Sequence, residues 1–165
     1  MVTVSNTTPL RYLIAVRQEH LLEELFTKII IPRAVFDELT HLHSLESVRG
    51  LVSSLPRWLE VRAVNDPEGP HLSRLLHPGE REAIALAETL PADILLIDEK
   101  NGRRAASGRK FKISGTLGVL ETADSLGLID NFPKLLNELK ASGFYFKPPF
   151  EALLLRRHDQ RKGGK

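Results

Sequence analysis

At 165 residues with 42% hydrophobic content, the chain suits one domain that can bury its own core without staples. It contains no cysteine, which excludes disulfides, thiolate nucleophiles and thiolate metal sites, so any metal must sit on oxygen or histidine. The formal charge of +2 is unevenly placed: Arg156 to Lys165 carries five basic residues against Asp159, a net +4 that leaves −2 for the remainder.

No stretch reaches the roughly 18 apolar residues of a membrane span, and no basic leader opens the chain, so a soluble, cytoplasmic protein is expected. In MVTVSNTTPL, Val2 and Val4 alternate as in a short strand, whose tip is Ser5, Asn6, Thr7 and Thr8 before Pro9 at a helix start. Leu10, Leu13, Ile14, Leu21, Leu22 and Leu25 recur at helical spacing, which predicts one or two helices over 9–26. KIIIP predicts a strand ending at Pro32, and RAVFDEL a helix with Ala34, Val35, Leu39 and Leu42 on its apolar side. A further helix is expected over 44–55, then an alternating strand over 58–64 that ends in the loop NDPEGP.

HPGEREAIALAETL predicts a helix starting at Pro78 or Gly79 and running to Leu90, with Ala83, Ile84, Ala87 and Leu90 inward. DILLID is continuously apolar, as buried parallel strands are. KNGRRAASG reads as a short helix closed by Gly108, KFKISG as a strand, and TLGVLETADSLG and NFPKLLNELKASG as helices ending at Gly127 and Gly143. Strands that alternate with helices imply an α/β fold with a mostly parallel central sheet. The expected division is a main domain over 1–150 and a basic C-terminal extension over 151–165.

In such sheets ligands bind beyond the C-terminal ends of the strands. That rule selects Asn6, Thr7 and Thr8, then Asp98 and Glu99, then Asp37 and Glu38 in the helix after Pro32, and Glu80 and Glu82 in the first turn after HPG. Oxygen ligands from four segments at one edge, with no balancing base, are costly unless a divalent cation neutralises them, which is the logic of Mg²⁺ or Mn²⁺ sites. Each residue also has a plainer reading. Glu80 and Glu82 suit the positive end of a helix, an effect of about 0.3–1 kcal/mol; Asp37 and Glu38 suit a solvated helix face; Asp98 suits a helix cap; Asn6 and the threonines suit a turn. Their joint placement favours a site.

The segment KNGRRAASGRKFK brings Lys100, Arg103, Arg104, Arg109, Lys110 and Lys112 together with no acid, which fits either a phosphate backbone or a solvated face. No glycine-rich phosphate loop and no nucleophile elbow is present. The six histidines read as surface residues: His41 and His43 at i,i+2 on a helix point apart, His71 and His77 fall in or near a loop, and His158 falls in the tail.

SNTTPL, IIIPRAVFDEL, HPGEREAIALA, DILLIDEKNGRRAA and ISGTLGVL, in this order, resemble the PIN-domain superfamily. The nearest pattern is a VapC-like branch with D-[ST]-SPL, P-x-x-V-x-x-E-L, GE-x-EAI-x-LA and a strand ending in DD before a basic helix, over residues 2 to about 150. The resemblance implies a three-layer α/β/α sandwich and an Mg²⁺- or Mn²⁺-dependent endoribonuclease of the toxin type, homodimeric and silenced by a small antitoxin. It places catalysis and metal binding on Asn6, Glu38, Glu82 and Asp98, with Glu99 a one-residue alternative to Asp98. Thr7 or Thr8 would be the hydroxyl beside the metal, and Asp37 and Glu80 are second choices. RNA would lie along Lys100, Arg103, Arg104, Arg109 and Lys110.

The departure from the pattern is at Asn6, where the family has aspartate. An amide leaves the site one negative charge short. The resemblance therefore implies either a nuclease with weakened metal affinity or an inactive PIN-like module that binds RNA or protein. A small-molecule α/β enzyme lacks any cofactor motif.

Overall fold

The strands are short, and their alternation decides the architecture. In the computed structural model, which describes residues 1–41, 43–65 and 74–164, β1 (Thr3–Ser5), β2 (Ile29–Pro32), β3 (Leu59–Arg62), β4 (Ile94–Leu96) and β5 (Lys112–Ser114) form one sheet. Its order is β3-β2-β1-β4-β5, and every pairing is parallel. Ile29, Ile31 and Leu96 point into one core with Leu10, Leu13, Val35, Leu120 and Phe132. Val4, Ile30, Leu95 and Ile97 point into the other with Ala83, Ile84 and Phe111. Successive side chains on a strand face opposite ways, so a strand that is apolar throughout requires a helical layer on both faces. The result is the α/β/α sandwich.

Those layers are α1 (Thr7–Ala15), α2 (His20–Phe26), α3 (Arg33–Thr40), α4 (Glu46–Ser53), α5 (Pro78–Thr89), α6 (Lys100–Ala106), α7 (Thr116–Ser125), α8 (Phe132–Ala141) and α9 (Pro148–Gly163). The helical pattern over 9–26 is two helices, because Arg17 takes a left-handed φ of 60° between them. Gly127 and Gly143, at φ 74° and 100°, end α7 and α8 in the conformation that a side chain disfavours. Leu42, His71 and most of the NDPEGP loop lie outside the described residues. Among the described residues no helix is long and apolar enough to cross a membrane.

The expected boundary at residue 150 falls inside α9, a single helix of 16 residues. Leu154 and His158 on that helix are buried. The His158 Nδ1 lies 2.8 Å from Asp124 Oδ2, and Arg161 donates to the same oxygen at 2.5 Å. The His158 ring also stacks on Phe132, with centroids 5.3 Å apart. His158 is therefore a packed residue and not the surface histidine that its place in a basic tail suggested. Burial pushes the Asp124 carboxyl up, but the hydrogen bonds from Arg161 and His158 outweigh this and hold it below its ordinary range. Because α9 closes a hydrophobic face, Leu154→Ala should cost about 2–5 kcal/mol, read as a lowered urea midpoint with unchanged slope; an unchanged midpoint would show that α9 adds nothing to the fold.

The strand order positions the site. From β1 the chain builds outward through β2 and β3, then returns to the other side of β1 for β4 and β5. The direction of winding reverses between β1 and β4, and in open parallel sheets the crevice beyond the carboxyl ends of such a pair is the ligand-binding place.

Candidate active site

Asn6 stands at that reversal. Its backbone N–H extends the pairing to Leu96 O at 2.9 Å, and its extended backbone starts α1 without its side chain capping that helix. The amide is thus free to reach across: Nδ2 donates to Glu99 Oε2 at 3.1 Å. The Thr8 hydroxyl donates to the other oxygen of Glu99. The Thr7 hydroxyl donates to Glu38 Oε2, and Gly79 N donates to Glu38 Oε1 at 3.2 Å. Two consecutive threonines at the start of α1 therefore orient two carboxylates from different segments.

Together with Glu80, these groups line a cavity of about 530 Å³ whose walls also carry Arg11, His41, His43 and His77. Glu80 is only 4% exposed, and its carboxylate takes the backbone N–H of His77, one half of a capping box. Burial pushes the Glu80 carboxyl up, the negative charge of Glu99 adds to this, and Glu38 does so more weakly, against the lowering influence of His77. A carboxyl with a raised folded pKa binds more protons folded than unfolded, so stability is greatest below the ordinary value and falls as pH rises through the raised one. Glu80→Gln keeps the acceptor for His77 and removes the titration. In EDTA, its melting temperature should exceed the wild type at pH 7, and the difference should shrink towards pH 4.5; parallel curves would count against the buried charge.

Several sequence expectations meet a different geometry. Glu82 does not line the cavity: its Oε2 accepts from Ala34 N at 2.8 Å, capping α3, whose preceding Pro32 has no side-chain acceptor to offer. Glu80, the second choice, occupies the cavity instead. Asp98 accepts from Thr116 N at 2.8 Å and from Thr116 Oγ1 at 2.6 Å, which ties it to the start of α7. Burial nonetheless raises its pKa. The next residue, Glu99, is the one in the cavity. Asp37 pairs with Arg33 on the exposed side of α3.

The basic cluster divides. Lys100, Arg103 and Arg104 lie on α6, which begins directly after Glu99. Arg109 and Lys110 lie with Lys112 beside Asp93 and Ile94 in a separate cavity, at the opposite ends of β4 and β5, and Arg109 is paired with Glu88.

His41, His43 and His77 are exposed, as a surface reading expects, yet they also line the cavity, a placement that reading does not give. Helix α3 stops at Thr40, and His41 is extended with ψ 144°. The spacing of His41 and His43 is therefore not helical, and their rings sit 5.0 Å apart. The signal available was the run HLHS before α4, in which histidine and serine are weak helix formers.

A divalent cation, implied by the resemblance, can be tested against these groups. Among the described residues no three His, Asp or Glu side chains converge as a ready-made metal cage. The donor chemistry still fits a hard cation: Glu38, Glu80 and Glu99 supply oxygens with no lysine among the residues that line the cavity. Asn6 Oδ1 is buried without a hydrogen-bond partner among the described residues. It lies beside Gly79, where a Cβ would stand 3.1 Å from it and 2.6 Å from Glu38 Oε1. A buried carbonyl oxygen without a donor is costly, and a cation held by Asn6, Glu38, Glu80 and Glu99 would satisfy it.

No curated protein and no solved structure matches the chain. Residues 2–160 match the family model DUF3368, described as a PIN domain. The matched span includes α1 to α8, the whole sheet and most of α9, together with every carboxylate in the cavity. The chain belongs to the PIN-domain family, a nuclease-type fold.

Proposed function

We propose that the protein is a divalent-metal-dependent endoribonuclease that hydrolyses RNA phosphodiesters at the crevice beyond β1 and β4. The observation that carries this reading is the buried, unpartnered Asn6 Oδ1 beside Gly79, on a residue that lines the same cavity as Glu38, Glu80 and Glu99. Glu38, Glu80, Glu99 and Asn6 would hold Mg²⁺ or Mn²⁺. When bound, such an ion supplies Lewis acidity and a water acidic enough to attack at neutral pH. Thr7 and Thr8 fix the directions of Glu38 and Glu99. Burial, which raises the Glu80 carboxyl above its ordinary range, would be offset by the charge of a bound cation. Arg11 and the imidazoles at the cavity wall would meet the phosphate, and Lys100, at the start of α6 next to Glu99, would meet the RNA backbone, which would give salt-sensitive binding of low sequence specificity.

Toxin action, a small antitoxin and a homodimer are supported by the sequence resemblance, and belong to the same reading. The alternative is a PIN fold that binds RNA without cutting it; the neutral amide at Asn6 is the observation that favours it. Calorimetric Mn²⁺ titration and cleavage of a labelled single-stranded RNA decide between them. The nuclease reading expects Mn²⁺ binding and cleavage, both lost in Glu38→Ala and Glu99→Ala, and both kept in Arg109→Ala and Lys110→Ala at the far end of the sheet. RNA binding in EDTA with neither cleavage nor Mn²⁺ binding would establish the binding module.

A further inference from the structure

A second cavity, of about 500 Å³, opens on the same edge of the sheet as the carboxylates, and Asp98 on its wall is joined directly to Glu99 on the wall of the first. Its character is different. The connection between α8 and α9 reads Phe144, Tyr145, Phe146, Lys147, and alternate residues of an extended segment face opposite ways. Phe146 is buried and Phe144 stacks edge-on against Tyr12 with centroids 4.9 Å apart. Those two rings anchor the segment. Tyr145 is left 78% exposed, and Phe150, at the start of α9, is 41% exposed. Both line the cavity.

Two cations complete it. Arg103 Nη1 donates to Ile97 O at 3.0 Å, which fixes the guanidinium and leaves its other N–H groups without a hydrogen bond among the described residues. Lys147 makes no ion pair among the described residues. Glu121 is paired with Arg157 and Arg161, while Asp98, which accepts from Thr116, also feels the charge of Arg103. The cavity therefore presents exposed aromatic faces beside the Lys147 ammonium, which has no ion pair among the described residues, and beside the free N–H groups of Arg103.

We propose that this cavity is a nucleobase subsite, in which an unstacked base of single-stranded RNA lies against Tyr145 and Phe150 while Arg103 and Lys147 hold its phosphate. The proposal deepens the ribonuclease reading and rests on it, since continuity through Asp98 and Glu99 makes the occupant a neighbour of the scissile phosphate. Every base has a π-face, so stacking of this kind tolerates sequence. A duplex does not present its bases to such a platform, so the subsite selects single strands. This supplies a preference that the carboxylate cavity, which reads only phosphate, cannot give.

The test is fluorescence anisotropy of labelled octaadenylate in EDTA, where binding is read without turnover. Tyr145 is exposed, so Tyr145→Ala should fold normally, and it should weaken binding by about tenfold, within the range for loss of one stacked base. Tyr145→Trp should retain binding. An abasic octamer with the same phosphates should bind wild type and Tyr145→Ala alike. Equal affinity of wild type and Tyr145→Ala for octaadenylate overturns the subsite, as does an equal loss on the abasic octamer; a protein segment seated in the groove would give the first of these. Cleavage of the same octamer with Mn²⁺ judges the nuclease reading separately.

Discussion

Asn6→Asp is expected to destabilise the metal-free protein and strengthen its hold on divalent cations. The wild-type amide is 3% exposed and donates to Glu99. Aspartate removes that donor and puts a carboxylate against Glu99, with Glu38 close behind Gly79. Loss of a buried hydrogen bond to a charged group costs about 1.5–3 kcal/mol, and like charges at this separation add to it. In EDTA at pH 7 the melting temperature should therefore fall, by about 2–4 °C per kcal/mol for a domain of this size. With Mn²⁺ the order should reverse. A fourth anionic oxygen would tighten binding tenfold or more, about 1.4 kcal/mol, and saturating ion then stabilises the variant more than the wild type. Cleavage should rise in parallel. Calorimetry and thermal melts with and without Mn²⁺ read both halves. A variant that is more stable in EDTA, or no tighter for Mn²⁺, would mean that Asn6 is not a metal corner.

How far the sequence foresaw this depends on which signal placed each residue. The sheet was legible because IIIP and the ILLI within DILLID are apolar throughout, as strands covered on both faces are. Asn6, Thr7, Thr8, Glu38 and Glu99 were legible because strand ends and the first turns after them are fixed by topology. What topology does not fix is which of two neighbouring acids turns inward. Glu80 and Glu82 share one turn of α5, and Asp98 and Glu99 are consecutive. The choice depends on outside partners: Ala34 N draws Glu82 to α3, and Thr116 draws Asp98 to α7. Neither partner is near in sequence. His41, His43 and His77 are exposed, as their surface reading expects, but the helical spacing assumed for His41 and His43 fails because the helix ends at Thr40, immediately before His41. The basic cluster was read as one patch, yet α6 carries Lys100 away from Arg109 to opposite ends of β4, so charge that is contiguous in sequence is split in space.

Gly79→Ala should separate the site from the fold. Gly79 is helical, in the first turn of α5, where alanine is intrinsically the better residue by about 1 kcal/mol. Its Cβ, however, would stand 2.6 Å from Glu38 Oε1, 3.0 Å from Glu38 Oε2 and 3.1 Å from Asn6 Oδ1. The carboxylate must withdraw, and with it go its bonds from Gly79 N and Thr7. Helix propensity and the lost contacts oppose each other, so stability changes little. The chemistry has no such compensation: displacing a positioned group by about 1 Å can cost a hundredfold in rate. Cleavage should fall by that order and Mn²⁺ affinity by about tenfold, while the melting temperature moves by only a few degrees, about 1 kcal/mol. Gly50→Ala is the control. It lies within α4 with nothing inside 4 Å of the added Cβ, so it should gain about 0.5–1 kcal/mol of stability and cut RNA at the wild-type rate. If Gly79→Ala also cuts at that rate, Glu38 is not held by this glycine for catalysis, and the cavity beyond β1 and β4 is not where the phosphodiester is broken.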